Sequence, residues 1–169
     1  MEIEELFGLP AHPLIVHAVV VLLPLAAVGA LVCAAVPRAR RPYAPLVFAA
    51  AVAALVSVIL AQGSGEELED KVDKSDLVHD HTELGEQVLP WAIAEVLVAG
   101  GVLALPYLEE RRRAKPATMT AIAVVLALGL GAPAVVTVIR AGHSGAKAAW
   151  DDVERRDDDH GADRNRGPG

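Results

Sequence analysis

Four separate runs of apolar residues, each about as long as a membrane crossing, constrain this chain more than anything else in it. They cover roughly 13–36, 43–61, 88–108 and 117–139. An α-helix needs about 20 residues to cross ~30 Å of hydrocarbon. Inside hydrocarbon every backbone N–H and C=O must find its partner within the protein, so each run reads as a helix. The chain is 53% hydrophobic but only 4% aromatic, so the apolar mass is alanine, valine and leucine. A soluble helix keeps a polar face, and these runs mostly lack one. The expected fold is all-α: a polytopic membrane protein with four transmembrane helices in an up-down bundle. The helices are placed at about 13–36, 43–61, 82–108 and 117–140, within one domain spanning 7–150. The remainder, 151–169, mixes acids, arginines and glycine and is expected to be a disordered polar tail.

The first run does not open like a cleavable signal peptide. Its flank is acidic (Glu2, Glu4, Glu5) where a signal peptide is basic. Cys33 is the single cysteine, so no internal disulfide forms, and packing explains it. The net charge of −7 matters through its distribution. Seven of the fifteen Lys and Arg residues sit in two short turns: Arg38, Arg40 and Arg41, then Arg111, Arg112, Arg113 and Lys115. The segment 66–87 carries nine acidic residues and two lysines. The positive-inside rule places both basic turns in the cytoplasm, with both termini and the acidic loop extracytoplasmic. The lipid bilayer is the expected partner. The basic turns are too short to hold nucleic acid.

Chemistry gathers at the head of the first run, in Phe7-Gly-Leu-Pro-Ala-His-Pro-Leu-Ile-Val-His17. Pro13 suits the first helical position, which makes His12 the cap residue. His12 and His17, His79 and His81, and His143 all fall at the same membrane boundary, from three helices. His17 lies about 7.5 Å deeper than His12 and about 140° around the helix. Neutral imidazole is a common ligand for zinc, copper and iron. No cysteine or methionine cluster accompanies the histidines, which argues against soft Cu(I), and no CxxCH motif is present for covalent haem. A non-covalent b-type haem needs two imidazoles on facing helices and small residues beside them.

Two of His17, His81 and His143 are therefore the expected cofactor or metal ligands, with His12 in reserve. His17 is deepest and has no water to satisfy it. His81 begins a stripe with Gly85, Val88, Ala92, Glu95 and Ala99, whose small members leave room beside its ring. His143 is flanked by Gly142 and Gly145. Glu83, Glu86 and Glu95 are candidate acceptors orienting the imidazoles. Glu95 should face the bundle and be either protonated or paired, with Arg140 or the histidines as its partners. Two ligand imidazoles are expected within about 4–5 Å of each other across a metal, or slightly farther apart in an empty, relaxed site. His79 and His160 stand outside this set. At the helix ends, Asp80 with Glu83 reads as a loose capping box for helix three. Gln62-Gly-Ser-Gly65 reads as the end of helix two. Gly142-His-Ser-Gly145 is not a GxSxG nucleophile elbow, and no P-loop or dinucleotide fingerprint occurs.

The first motif, with His81-Thr-Glu-Leu-Gly-Glu86 and Gly142-His-Ser-Gly-Ala146, resembles the bacterial membrane proteins of domain-of-unknown-function family 2231. The likeness spans roughly 7–150. It implies a four-helix inner-membrane protein and picks out His12, His17, His81 and His143. Some members of that family are joined to Rieske-type iron–sulfur domains, which implies redox work, although this chain has no iron–sulfur ligand set. The resulting expectation is a multi-pass protein of the bacterial plasma membrane. It would act as a b-type haem or metal-binding electron-transfer component, with a redox partner protein. Zinc or copper stand as alternatives to haem b. The contrasting class is a non-catalytic scaffold or accessory subunit without cofactor, whose histidines only hydrogen-bond between helices.

Overall fold

Each apolar run is a helix in the computed structural model, which describes residues 5–6, 9–69, 75–111 and 116–165. Two residue pairs open the described chain: β1 (Glu5–Leu6) runs antiparallel to β2 (Leu9–Pro10). Helices α1 (Ala11–Ala35), α2 (Pro37–Glu69), α3 (Asp76–Glu86), α4 (Val88–Arg111) and α5 (Pro116–Asn165) follow. Four stretches are long and apolar enough to cross a membrane: Ala11–Ala35, Pro37–Glu66, Asp76–Arg111 and Ala117–Trp150, with α3 and α4 together making the third. An even number of crossings brings Trp150 back to the membrane face where Ala11 starts. Phe7 and Gly8 of the first motif, the acidic-loop lysines Lys71 and Lys74, and Arg112, Arg113 and Lys115 of the second basic turn lie outside the described residues.

The helix ends differ from expectation: α1 begins at Ala11, so His12 lies within it and is not its cap, and α2 begins at Pro37. Helix three is capped by Ser75, not by Asp80. Ser75 is extended (φ −119°, ψ 159°) and its hydroxyl accepts from the Val78 N–H. Gln62-Gly-Ser-Gly65 does not end α2, which runs on to Glu69. Gly142-His-Ser-Gly145 likewise lies inside α5. Gly65 and Gly145 each lie against a histidine ring. Helix α5 runs on to Asn165. No proline falls between Pro133 and Pro168. A polar composition rules out a packed core but does not stop an already nucleated helix from propagating.

Small residues form the centre of the bundle and large ones its outside. Ala26, Ala30, Ala34, Ala51, Ala54, Ala92 and Ala134 are all buried, while Val21, Leu25, Leu46, Leu97, Val125 and Ile139 are exposed. Water would reverse that order. Lipid allows it, because helices without a hydrophobic drive between them associate through close backbone approach.

The chain is two copies of one helix pair. Ala54-Leu-Val-Ser-Val-Ile-Leu-Ala-Gln-Gly-Ser-Gly65 in α2 matches Ala134-Val-Val-Thr-Val-Ile-Arg-Ala-Gly-His-Ser-Gly145 in α5. His12, Val19, Ala30 and Pro37 recur at the same spacing as His81, Val88, Ala99 and Pro106. Burial repeats too: Val19 and Val88, Ala30 and Ala99, Ala54 and Ala134, Val58 and Val138 are buried in pairs. So do local bonds, with Ser57 Oγ donating to Ala53 O and Thr137 Oγ1 to Pro133 O. Helix α1 packs on α2 as α4 packs on α5, and α1 meets α5 as α2 meets α4. Exchanging the halves preserves every helix direction. That is the relation made by a two-fold axis along the membrane normal, the parallel type of internal repeat.

Away from the histidines, Arg40 ties the other end of the bundle together. It is 1% exposed, although the sequence places it in a solvated basic turn. Its Nε donates to Cys33 O (3.1 Å), and its Nη2 donates to Ala34 O (2.8 Å) and Thr120 Oγ1 (2.7 Å). Nη1 pairs with Glu109. One guanidinium thus satisfies two terminal carbonyls of α1 and reaches α4 and α5. Its neighbour Arg41 pairs with Glu110 at the surface.

Candidate functional site: two anchored imidazoles

His12, in the first turn of α1, and His81, in α3, occupy equivalent sockets in the two halves. The His12 Nδ1 lies 3.0 Å from Ala61 O and 3.2 Å from Ser64 Oγ. The His81 Nδ1 lies 3.1 Å from Ala141 O and 3.1 Å from Ser144 Oγ. Each serine hydroxyl donates back to the same carbonyl, at 3.1 Å for Ser64 and 2.9 Å for Ser144. A carbonyl only accepts, so each imidazole donates from Nδ1. In the neutral ring that fixes the tautomer and leaves a lone pair on Nε2.

Glycine makes each socket. A β-carbon at Gly65 would stand 3.1 Å from His12 Cε1, and one at Gly145 would stand 2.8 Å from His81 Cε1. The motif is therefore Ala-x-x-Ser-Gly within a helix. Its alanine carbonyl and serine hydroxyl hold the ring, and its glycine gives the ring room. This is why glycine persists inside α2 and α5 at some cost in helix stability. The two rings meet edge to face across the pseudo-two-fold, centroids 6.3 Å apart and planes 83° to each other.

The other sequence candidates are distributed around this pair. His17 is exposed on α1, and its Nδ1 is 2.8 Å from Pro13 O of its own helix. His143 is exposed on α5, between the residues of the socket but not part of it. Glu83, Glu86, His79 and Arg140 are exposed. Gly85 contributes its carbonyl, which accepts from Gln62 Nε2 at 3.2 Å and joins α2 to α3. Thr82 Oγ1 donates to Glu69 at 3.2 Å across the same junction. Glu95 is fully buried, as its place in the stripe required. It lies fourteen positions from His81, or about 21 Å along the helix. Its carboxyl has no partner in Arg140 or the histidines. His160 lies beyond the last side chain described. So the structure joins His12 with His81 and leaves His17 and His143 apart. Among the described residues, no three His, Cys, Asp or Glu side chains gather as a metal-binding group.

The Ala-x-x-Ser-Gly repeat is the signal that sequence reading passed over. Both copies are legible at Ala61–Gly65 and Ala141–Gly145, and each sits at the same depth as one histidine of a repeated pair.

Four membrane crossings built from two like helix pairs, with one anchored imidazole from each at a shared boundary, define a multi-pass membrane protein with a paired-imidazole site. The chain belongs to the family described as predicted membrane protein, DUF2231, whose model matches residues 8–155. No curated protein and no solved structure matches it.

Proposed function

We propose that the chain is a redox component of the bacterial plasma membrane, in which His12 and His81 together hold a b-type haem or a metal ion near the outer boundary. The observation that carries this reading is the pair of matched Nδ1 anchors. Ligand histidines are commonly fixed this way, the far nitrogen bonded to a carbonyl so that the near one presents its lone pair. With bonds of about 2.0–2.1 Å from a ring nitrogen to a metal, His12 and His81 would be close enough to hold one ion between them. Their ring centroids are 6.3 Å apart. A tetrahedral zinc site would need two further donors, and the described residues supply no third. Bis-imidazole haem is therefore favoured over zinc. When bound, haem supplies one-electron transfer. The chain's own part is to hold both rings in one tautomer, to keep large side chains from between them, and to offer the boundary to a partner protein.

The absorption spectrum of the purified protein tests this. A Soret band and a sharp reduced α-band are expected, lost in His12→Ala and His81→Ala and retained in His17→Ala and His143→Ala. A featureless spectrum in a metal-free wild-type preparation would sink the proposal and leave the scaffold reading, in which the same anchors only tie α1 to α2 and α3 to α5.

The side of the membrane rests on the basic turns. In a Cys33→Ala background, cysteine at Asp76 or Glu83 is expected to react with an impermeant thiol reagent in intact cells. Cysteine at Val36 or Ala117 is expected to stay unreacted until the cells are opened. The opposite pattern would put the imidazole pair at the cytoplasmic boundary.

A further inference from the structure

We infer that Glu95 is a second functional site, an exchangeable proton-binding group at the middle of the bundle, separate from the imidazole pair. Its side chain is completely buried, and neither carboxylate oxygen has a hydrogen-bond partner among the described residues. Gly131 of α5 lies against it: a β-carbon there would stand 3.4 Å from Oε2 and 3.3 Å from Ala27 Cβ of α1.

The internal repeat shows that this place is made for a carboxyl. The counterpart of Glu95 in the first half is Ala26, and the counterpart of Gly131 is Ala51. Ala26 and Ala51 pack together in one buried cluster. Where the first half sets alanine against alanine, the second half has glutamate at one position and glycine at the other. The space for the carboxyl matches the methyl that glycine lacks. An accidental glutamate in lipid would not come with a compensating change on the opposite helix, and burying an unpaired carboxylate is costly.

The ligand is a proton rather than a metal cation. A hard cation takes about six oxygen ligands, and among the described residues no hydrogen-bonding group reaches this carboxyl. Nor do the described residues pair it with a charge. Along α1 from Ala18 to Val32, α2 from Ala44 to Gly65, α4 from Val88 to Leu105 and α5 from Ala117 to Ile139, Glu95 is the sole titratable residue. Taking up one proton removes one negative charge from hydrocarbon, and releasing it restores that charge. Such a group can answer a change of charge or potential elsewhere in the membrane.

Dicyclohexylcarbodiimide, a lipophilic reagent that adds to protonated carboxyls in apolar surroundings, tests this in native membranes. The acid proton passes to a carbodiimide nitrogen, the carboxyl oxygen bonds to the central carbon, and the acyl group then migrates to nitrogen with no leaving group. Peptide mass spectrometry of the wild-type protein should find the adduct on Glu95. Labelling should fall several-fold as the medium is made alkaline. Glu95→Gln should fold and stay unlabelled. Gly131→Ala should label more slowly, because its methyl takes the carboxyl's space. His12→Ala and His81→Ala should label as wild type does, so the result is independent of the imidazole proposal. No adduct at Glu95, or labelling that ignores pH, would overturn the inference.

Discussion

Arg40→Ala is expected to lower stability by about 3–5 kcal/mol, the cost of breaking a buried ion pair by removing one partner. The change strips a hydrogen-bond donor from Cys33 O, Ala34 O and Thr120 Oγ1 and leaves Glu109 without its cation. Glu109 is 24% exposed, so water recovers part of the loss and the lower end of the range is expected. Arg40→Lys should recover little, because one ammonium cannot reach two carbonyls and a carboxylate in fork geometry. Arg41→Ala should cost about 1 kcal/mol or less, since that pair lies in solvent. Thermal unfolding in detergent measures all three. An Arg40→Ala protein as stable as the Arg41→Ala protein would show that the guanidinium does not hold the four helix ends.

Gly145→Ala should eject His81 from its socket. The new methyl would lie 2.8 Å from His81 Cε1, closer than carbon atoms approach, and the ring is the part free to move. Both Nδ1 contacts would then go, to Ala141 O and Ser144 Oγ. At about 0.5–1.5 kcal/mol for each hydrogen bond, the loss is about 1–3 kcal/mol. Any cofactor held by the pair would be lost with it. Gly65→Ala should be milder, because its methyl would stand 3.1 Å from His12 Cε1. Gly63→Ala and Gly142→Ala meet open space and should stabilise their helices by about 0.5–1 kcal/mol. If the socket glycines behave like these two controls, the close-approach argument fails.

The spans were legible in the sequence because lipid leaves few alternatives: a run of apolar residues of that length has to be a helix. The interior position of Glu95 was legible for the same reason. Helix ends were not. Gly63 and Gly65 look like a break when α2 is read alone. Both lie inside the helix, and Gly65 gives room to His12 on another helix. The choice of histidines failed to follow from depth. His17 is deepest but turns outward and satisfies itself on Pro13 O. His12 is held by a carbonyl and a hydroxyl forty-nine and fifty-two residues away. Only the internal repeat carries that pairing in one dimension, since it predicts that whatever anchors His81 has a copy beside His12.

The same duplication bears on the Arg40–Glu109 clamp. Counted from the repeated prolines Pro37 and Pro106, Arg40 and Arg41 stand where Glu109 and Glu110 stand in the other half. A homodimer of the single helix pair would have to set like against like at these places, arginine on arginine or glutamate on glutamate, and would repel itself there. Joining two copies in one polypeptide removes that constraint. Each half can then carry one sign of charge, and the seam that would push two identical subunits apart instead locks the two halves of this chain together.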